Sequence, residues 1–148
     1  MTIGFATFVR LYQGATTYAR WQNFWPSHSP DSFSFAVFEI GSMESSISGS
    51  DVSTSISFGY TASIRSTLMT AADNAYLVEI SLYSFTPTAD GSPPVSKTLL
   101  AQHIGQAMNV ADNGASLDLS VGDALSPSRP QVPPRVYTTA LVGVPCQL

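Results

Sequence analysis

The chain has 148 residues and a mass of 15.7 kDa, the size of one domain. Hydrophobic residues make up 44% and aromatics 11%, which excludes a disordered tail, while charged residues make up only 11% against roughly 25% in an average soluble protein. The net charge is −4 and Lys97 is the one lysine, so binding to phosphate backbones, which needs several Lys or Arg contacts, is disfavoured and no specific nucleic-acid binding is expected. Cys146 is the single cysteine, so neither an intrachain disulfide nor a cysteine-based zinc site can form.

The first residues, MTIGFATFVRLYQG, are interrupted by Thr2, Gly4, Thr7 and Arg10, so no signal peptide is expected. No run of about 18 apolar residues occurs, and no membrane-crossing helix is expected. Residues 1–31 read as an aromatic arm and loop: a short strand or irregular arm over 3–13, then a loop stopped by Pro26 and Pro30. Residues 32–148 read as one β-rich domain.

In that domain, 33–38 alternates Phe33, Phe35 and Val37 against Ser34, Ala36 and Phe38, and both faces are fairly apolar, which predicts a central strand. A polar turn follows over 41–50. Residues 52–58 set Val52, Thr54, Ile56 and Phe58 against Ser53, Ser55 and Ser57, a strand with one wet face. The period then changes. Ile64 and Leu68 are four apart, Thr61 or Ser63 suits the N-terminal cap and Asn74 the C-terminal end, so a helix of about three turns is expected. The strongest strand signal follows, with Tyr76, Val78, Ile80 and Leu82 opposed to Glu79 and Ser81. Strand, helix and strand form the heart of the domain on this reading.

Asp90-Gly91 suits a turn in the link over 86–96. Residues 97–111 fit either period, and strand is favoured because Gly105 weakens a helix interior. Asp112-Asn113-Gly114 makes a turn, and 115–121 places Leu117, Leu119 and Val121 inward with Ser116, Asp118 and Ser120 outward. A loop with four prolines, 125–135, leads to a β-branched strand over 136–142. The fold class is therefore mainly β, a barrel or sandwich of six or seven strands with one short α-helix.

No motif names a reaction. His28 and His103 lack metal-ligand spacing. No GxSxG elbow accompanies the serines, and Cys146 follows a proline near the end. Glu39, Glu44, Asp51 and Glu79 are the carboxylates available for glycoside cleavage, and strand glutamates among polar neighbours are mostly solvated surface. No phosphate-binding loop or calcium loop is present, and no cofactor, metal site or catalytic residue is expected. Trp21 and Trp25, with Tyr12 and Tyr18, suit either a sugar-stacking platform or, as the favoured reading, an arm packing its aromatics on a core or a neighbour. Strand faces coated with Ser and Thr stay compatible with water yet cost little when another protein covers them, whereas charges would cost far more. Such a surface suits a domain buried between neighbours.

The order of FAVFEI over 35–40, the strand–helix–strand run over 48–85, TLLAQHIGQAMNV, ASLDLSV and the closing PPRVYTTALVGVP resembles the hub-type β domains at the distal end of tailed-phage tails, the minor tail protein L family of lambda-like phages and related baseplate-hub proteins. The likeness covers residues 32–145 and lacks that family's cysteine-rich cluster region, so no iron–sulfur cluster is carried over. The resemblance implies a structural virion protein of the tail tip or baseplate hub, made in the host cytoplasm and carried in the virion tail. It implies a homo-oligomeric ring, trimer or hexamer, joining the tail tube to the central hub or fibre, with the tape-measure protein as a further partner and no membrane. Trp21, Phe24, Trp25, Arg129, Arg135 and Tyr137 are the interface candidates. The alternatives are a capsid-bound or decoration protein, or a carbohydrate-binding β module.

Overall fold

The structure, a computed structural model, describes residues 3–24, 32–41, 53–88 and 96–123. It is mainly β with one helix: β1 (Gly4–Gln13), β2 (Thr16–Gln22), β3 (Ser34–Phe35), β4 (Phe38–Ile40), β5 (Ser53–Gly59), α1 (Ala62–Asp73), β6 (Leu77–Phe85), β7 (Lys97–Asp112) and β8 (Ser116–Asp123). The strands form one sheet in the order β3-β2-β1-β6-β7-β8-β5-β4, antiparallel throughout except for the parallel pair β2–β3.

The two edge strands are consecutive in the chain, with only Ala36 and Val37 between them. A span that short forces the sheet to curl until its two ends nearly meet. The ladder does not close into a barrel, because β3 bonds to β2 and β4 to β5, not to each other. Two backbone bonds hold the crossing: Ala36 donates to the Gln22 carbonyl at 2.9 Å and Gly59 to the Val37 carbonyl at 2.8 Å. The predicted central strand over 33–38 is therefore two short edge pieces. Ala36 and Phe38 are buried, while Phe35 and Val37 are exposed. The bilateral apolarity of this stretch reflects a chain that changes partners midway.

The count also exceeds the expected six or seven strands. Residues 4–22 contribute two strands, and β1 lies inside the sheet, bonded to β2 on one side and β6 on the other. This hairpin belongs to the sheet and not to a separate arm. Gly14, with φ at +58°, supplies the left-handed turn between β1 and β2.

Inside the curl, alternate residues pack as forecast. Thr54, Ile56 and Phe58 of β5, Leu117, Leu119 and Val121 of β8, and Val78 and Ile80 of β6 are buried, joined by Val9 and Leu11 of β1. Leu68 and Ala71 of α1 enter the same core. Burying a side chain the size of Leu or Phe stabilises by about 1.5–3 kcal/mol, so this one cluster accounts for the curl. β5 and β6 flank α1 in sequence but are not neighbours in the sheet, since β7 and β8 lie between them. Thr61 caps α1, its Oγ1 accepting from the Ile64 amide at 3.2 Å, and is the one of the two expected cap residues, Thr61 or Ser63, that fills the role.

β7 is a strand along all of Lys97–Asp112. Gly105 sits at the end of the β7–β8 ladder, opposite Asp123. A Cβ there would meet the Val121 side chain and come within 2.5 Å of the Gly122 carbonyl oxygen. The glycine that spoiled a helix is thus required for close approach of two strands. The helix present in the described residues is too short and too polar to cross a membrane.

Candidate interaction surface

The outer face of the sheet divides into four zones. Over β5 and β8 it is a hydroxyl surface: Ser53, Ser55 and Ser57 point outward and stand opposite Gly122, Ser120 and Asp118. The Ser57 hydroxyl donates to Asp118 Oδ1, and Asn113 Nδ2 donates to Asp118 Oδ2 at 2.8 Å. The Asp118 carboxylate is thereby dressed by neutral donors.

Next, β1, β6 and β7 place Arg10, Glu79 and Gln102 side by side. Arg10 Nη1 lies 3.4 Å from Glu79 Oε2, Gln102 Nε2 donates to Glu79 Oε1 at 2.8 Å, and Arg10 Nε donates to Thr17 Oγ1 at 3.0 Å. The guanidinium also lies 4.6 Å from the centre of the Tyr12 ring. Charges here cancel within the chain. Glu79 is thus engaged structurally, and Glu39 is exposed on β4. Glu44 and Asp51 lie outside the described residues.

A third zone is an aromatic cluster on the outer face where β1 meets β6. Ala6, Phe8 and Phe85 are buried there with Phe33 and Tyr83 against them. Phe8 meets Phe33 and Tyr83 edge-on at 5.1 and 5.4 Å. The Lys97 ammonium rests 5.5 Å from the Phe8 ring centre and 5.2 Å from that of Tyr83. Burial lowers its pKa. The one lysine therefore lies over aromatic rings while staying partly exposed.

The fourth zone is apolar and open. Leu99, Leu100 and Ile104 are 46%, 50% and 43% exposed along β7. Sequence reading did not single out these residues. The signal was available: Thr98–Ile104 carries no Asp, Glu, Lys or Arg.

Of the interface candidates, Trp21 is in the core, 7% exposed and 5.1 Å from the Phe58 ring. This is the packing role favoured for the arm aromatics. It leaves no exposed indole face there for a sugar or a partner. Phe24 is 41% exposed and leans on Phe85 at 5.0 Å, so it does offer surface. Trp25, Arg129, Arg135 and Tyr137 lie outside the described residues, as do His28, Cys146 and the strand expected over 136–142.

A groove of about 340 Å³ lies between β2, residues 32–34 and α1, with Tyr18, Arg20, Ser34, Ser63 and Thr67 on its walls. The Tyr18 ring stacks on Tyr76 at 4.2 Å, so that face is already occupied. Among the described residues no three His, Cys, Asp or Glu side chains gather as metal ligands. His103 stands opposite Ile80 on the sheet with its Nε2 buried and without a hydrogen-bond partner.

No protein-family model matches the chain, and no curated protein matches it.

Proposed function

We propose that the chain is a structural protein of a phage particle, placed at the tail tip or baseplate hub, where copies form a ring between the tail tube and the central hub or fibre. The observation that supports this reading most is the outer face of β5 and β8, a strip of serine hydroxyls in which the Asp118 carboxylate is dressed by Ser57 and Asn113 and at whose edge Glu39 of β4 stands opposite Ser57. Covering such a strip with another protein costs little, because each hydroxyl finds a new partner and the Asp118 carboxylate already has donors. Arg10 and Glu79 act in the same sense by neutralising each other at the surface. A lysine-poor, mildly acidic wall also does not hold a passing polyanion.

The test is the particle and the purified protein together. Electron microscopy of the full chain at high concentration is expected to show rings, and antibody labelling of the particle is expected to mark the distal end of the tail. Label on the head instead would replace the tail reading with that of a decoration protein. A protein absent from purified particles would end both.

A further inference from the structure

We infer that Asn113 is a latent deamidation site: the β7–β8 hairpin holds both of its reacting groups in hydrogen bonds, and release of those bonds converts it to aspartate or isoaspartate. The asparagines of the chain are Asn23, Asn74, Asn109 and Asn113, and only Asn113 precedes a glycine. Deamidation begins when the backbone nitrogen of the following residue attacks the side-chain carbonyl carbon. A side chain on that following residue hinders the approach, and glycine has none. Asn113 and Gly114 are exposed, and a Cβ built on Gly114 would meet nothing within 4 Å, so water and hydroxide reach the turn. Sequence and exposure together make this the asparagine that reacts first once nothing restrains it.

The hairpin restrains it at two points. The attacking nitrogen is engaged, because the Gly114 amide donates to Asp112 Oδ1 at 2.9 Å. Arg65 Nε, 2.7 Å from Asp112 Oδ2, fixes that carboxylate in place. The nitrogen must lose its proton to attack. A carboxylate that accepts its hydrogen bond, and repels the anion left behind, opposes that loss. The group under attack is engaged as well. Asn113 Nδ2 donates across the hairpin to Asp118 Oδ2 at 2.8 Å, and the other oxygen of Asp118 accepts from Ser57. The Asn113 backbone amide donates to the Ser116 carbonyl at 3.0 Å. Cyclisation needs the side chain to swing back onto its own main chain, and the bond to Asp118 must break first.

Once freed, the Gly114 nitrogen gives its proton to hydroxide and bonds to Asn113 Cγ. The Cγ–Nδ2 bond breaks, and ammonia leaves with a proton taken from water. Water then opens the cyclic imide at either of its carbonyls. The net change is one water consumed and one ammonia released, with nothing oxidised or reduced. Opening at one carbonyl gives aspartate, whose carboxylate stands where a donor had faced Asp118, so like charges meet on the hydroxyl face of β5 and β8. Opening at the other gives isoaspartate, which routes the main chain through Cβ and lengthens the turn closed by Ser116 and Asp112. The inference does not depend on the tail assignment.

Peptide mass spectrometry of the full chain, aged in mildly alkaline buffer, tests it. Folded wild type is expected to keep the Asn113 amide, while the same chain in urea loses it roughly tenfold faster or more, with isoaspartate at position 113 and Asn23, Asn74 and Asn109 unchanged. Asp118→Ala, which frees the side chain, and Arg65→Ala, which loosens Asp112, are each expected to speed the loss several-fold with circular dichroism unchanged. Equal rates in the folded and unfolded wild type would overturn the inference without any variant. Folded variants that deamidate no faster than wild type would also overturn it. Slower loss in either variant would reverse it, by making the carboxylates promoters of the reaction.

Discussion

α1 closes on an alanine held in left-handed geometry. Ala75 has φ at +53°, while Asn74 before it stays at φ −97°. The Tyr76 amide donates to the Ala71 carbonyl at 2.9 Å and the Ala75 amide to the Ala72 carbonyl at 3.2 Å. Those two bonds are the pattern in which glycine usually occupies the left-handed position. An L-residue pays about 1–2 kcal/mol to sit there, and glycine returns part of its gain as extra freedom when unfolded. Ala75→Gly is therefore expected to stabilise the protein by about 0.5–1 kcal/mol. A rise in the urea midpoint with an unchanged slope checks it, and a fall would show that the alanine methyl packs more than the strain costs. The helix end was legible in Asn74, a residue that tolerates this geometry, but the strained position lies one residue later. Nothing in an alanine announces a positive φ, because the tertiary bonds of Tyr76 impose it. Trp21 shows the converse limit. Its side chain carries the bulk of a core residue, but whether an aromatic near the chain start faces its own core or a neighbour depends on pairing with β1, which is set many residues away.

At the scale of elements, alternation was legible wherever a strand keeps one face in the core. β5 and β8 read directly from their Ser-apolar pattern. The stretch 33–38 did not, because a strand that switches partner after Phe35 leaves a two-sided apolar pattern identical to that of a central strand. The hairpin β1–β2 was only half legible. Thr16–Gln22 is polar and aromatic in mixture, and its strand state comes from bonding to β1. α1 is fastened to the sheet by a long-range ion pair. Arg65 Nε lies 2.7 Å from Asp112 Oδ2, and Asp112 Oδ1 accepts from the Gly114 amide at 2.9 Å. The Arg65 hydrogen bond, with the Gly114 amide second, holds the Asp112 pKa below its ordinary value. A carboxyl whose folded pKa is depressed adds stability above its unfolded pKa and loses that contribution as pH falls through the folded one. Asp112→Asn is therefore expected to melt lower than wild type at neutral pH. The gap should narrow below about pH 4 and close in stronger acid. Melting curves at several pH values test this. A gap of constant size would assign the loss to the Gly114 turn bond and not to the charge.

For the whole molecule, the relevant quantity is how few ions remain available at its described surface. Arg10 is matched to Glu79, Arg65 to Asp112, Lys97 to aromatic rings and Asp118 to neutral donors, while the carboxylates of Glu39 and Asp73 stand exposed. Contacts made by such a surface rest on hydroxyl hydrogen bonds and apolar burial. Exposed ion pairs weaken once the screening length shrinks from about 10 Å at 0.1 M salt to about 3 Å at 1 M, whereas apolar contacts do not. Salts excluded from protein surfaces strengthen them instead. Assemblies of this chain are therefore expected to hold their mass from low salt to about 1 M sodium chloride, and to tighten in sulfate. Sedimentation across that range measures it. Dissociation in chloride would mean that ionic contacts carry the association, and the charge-poor surface would then need a different explanation. Tightening in sulfate with no loss in chloride would place the binding energy where the sheet puts it, on serine faces and the open leucines of β7.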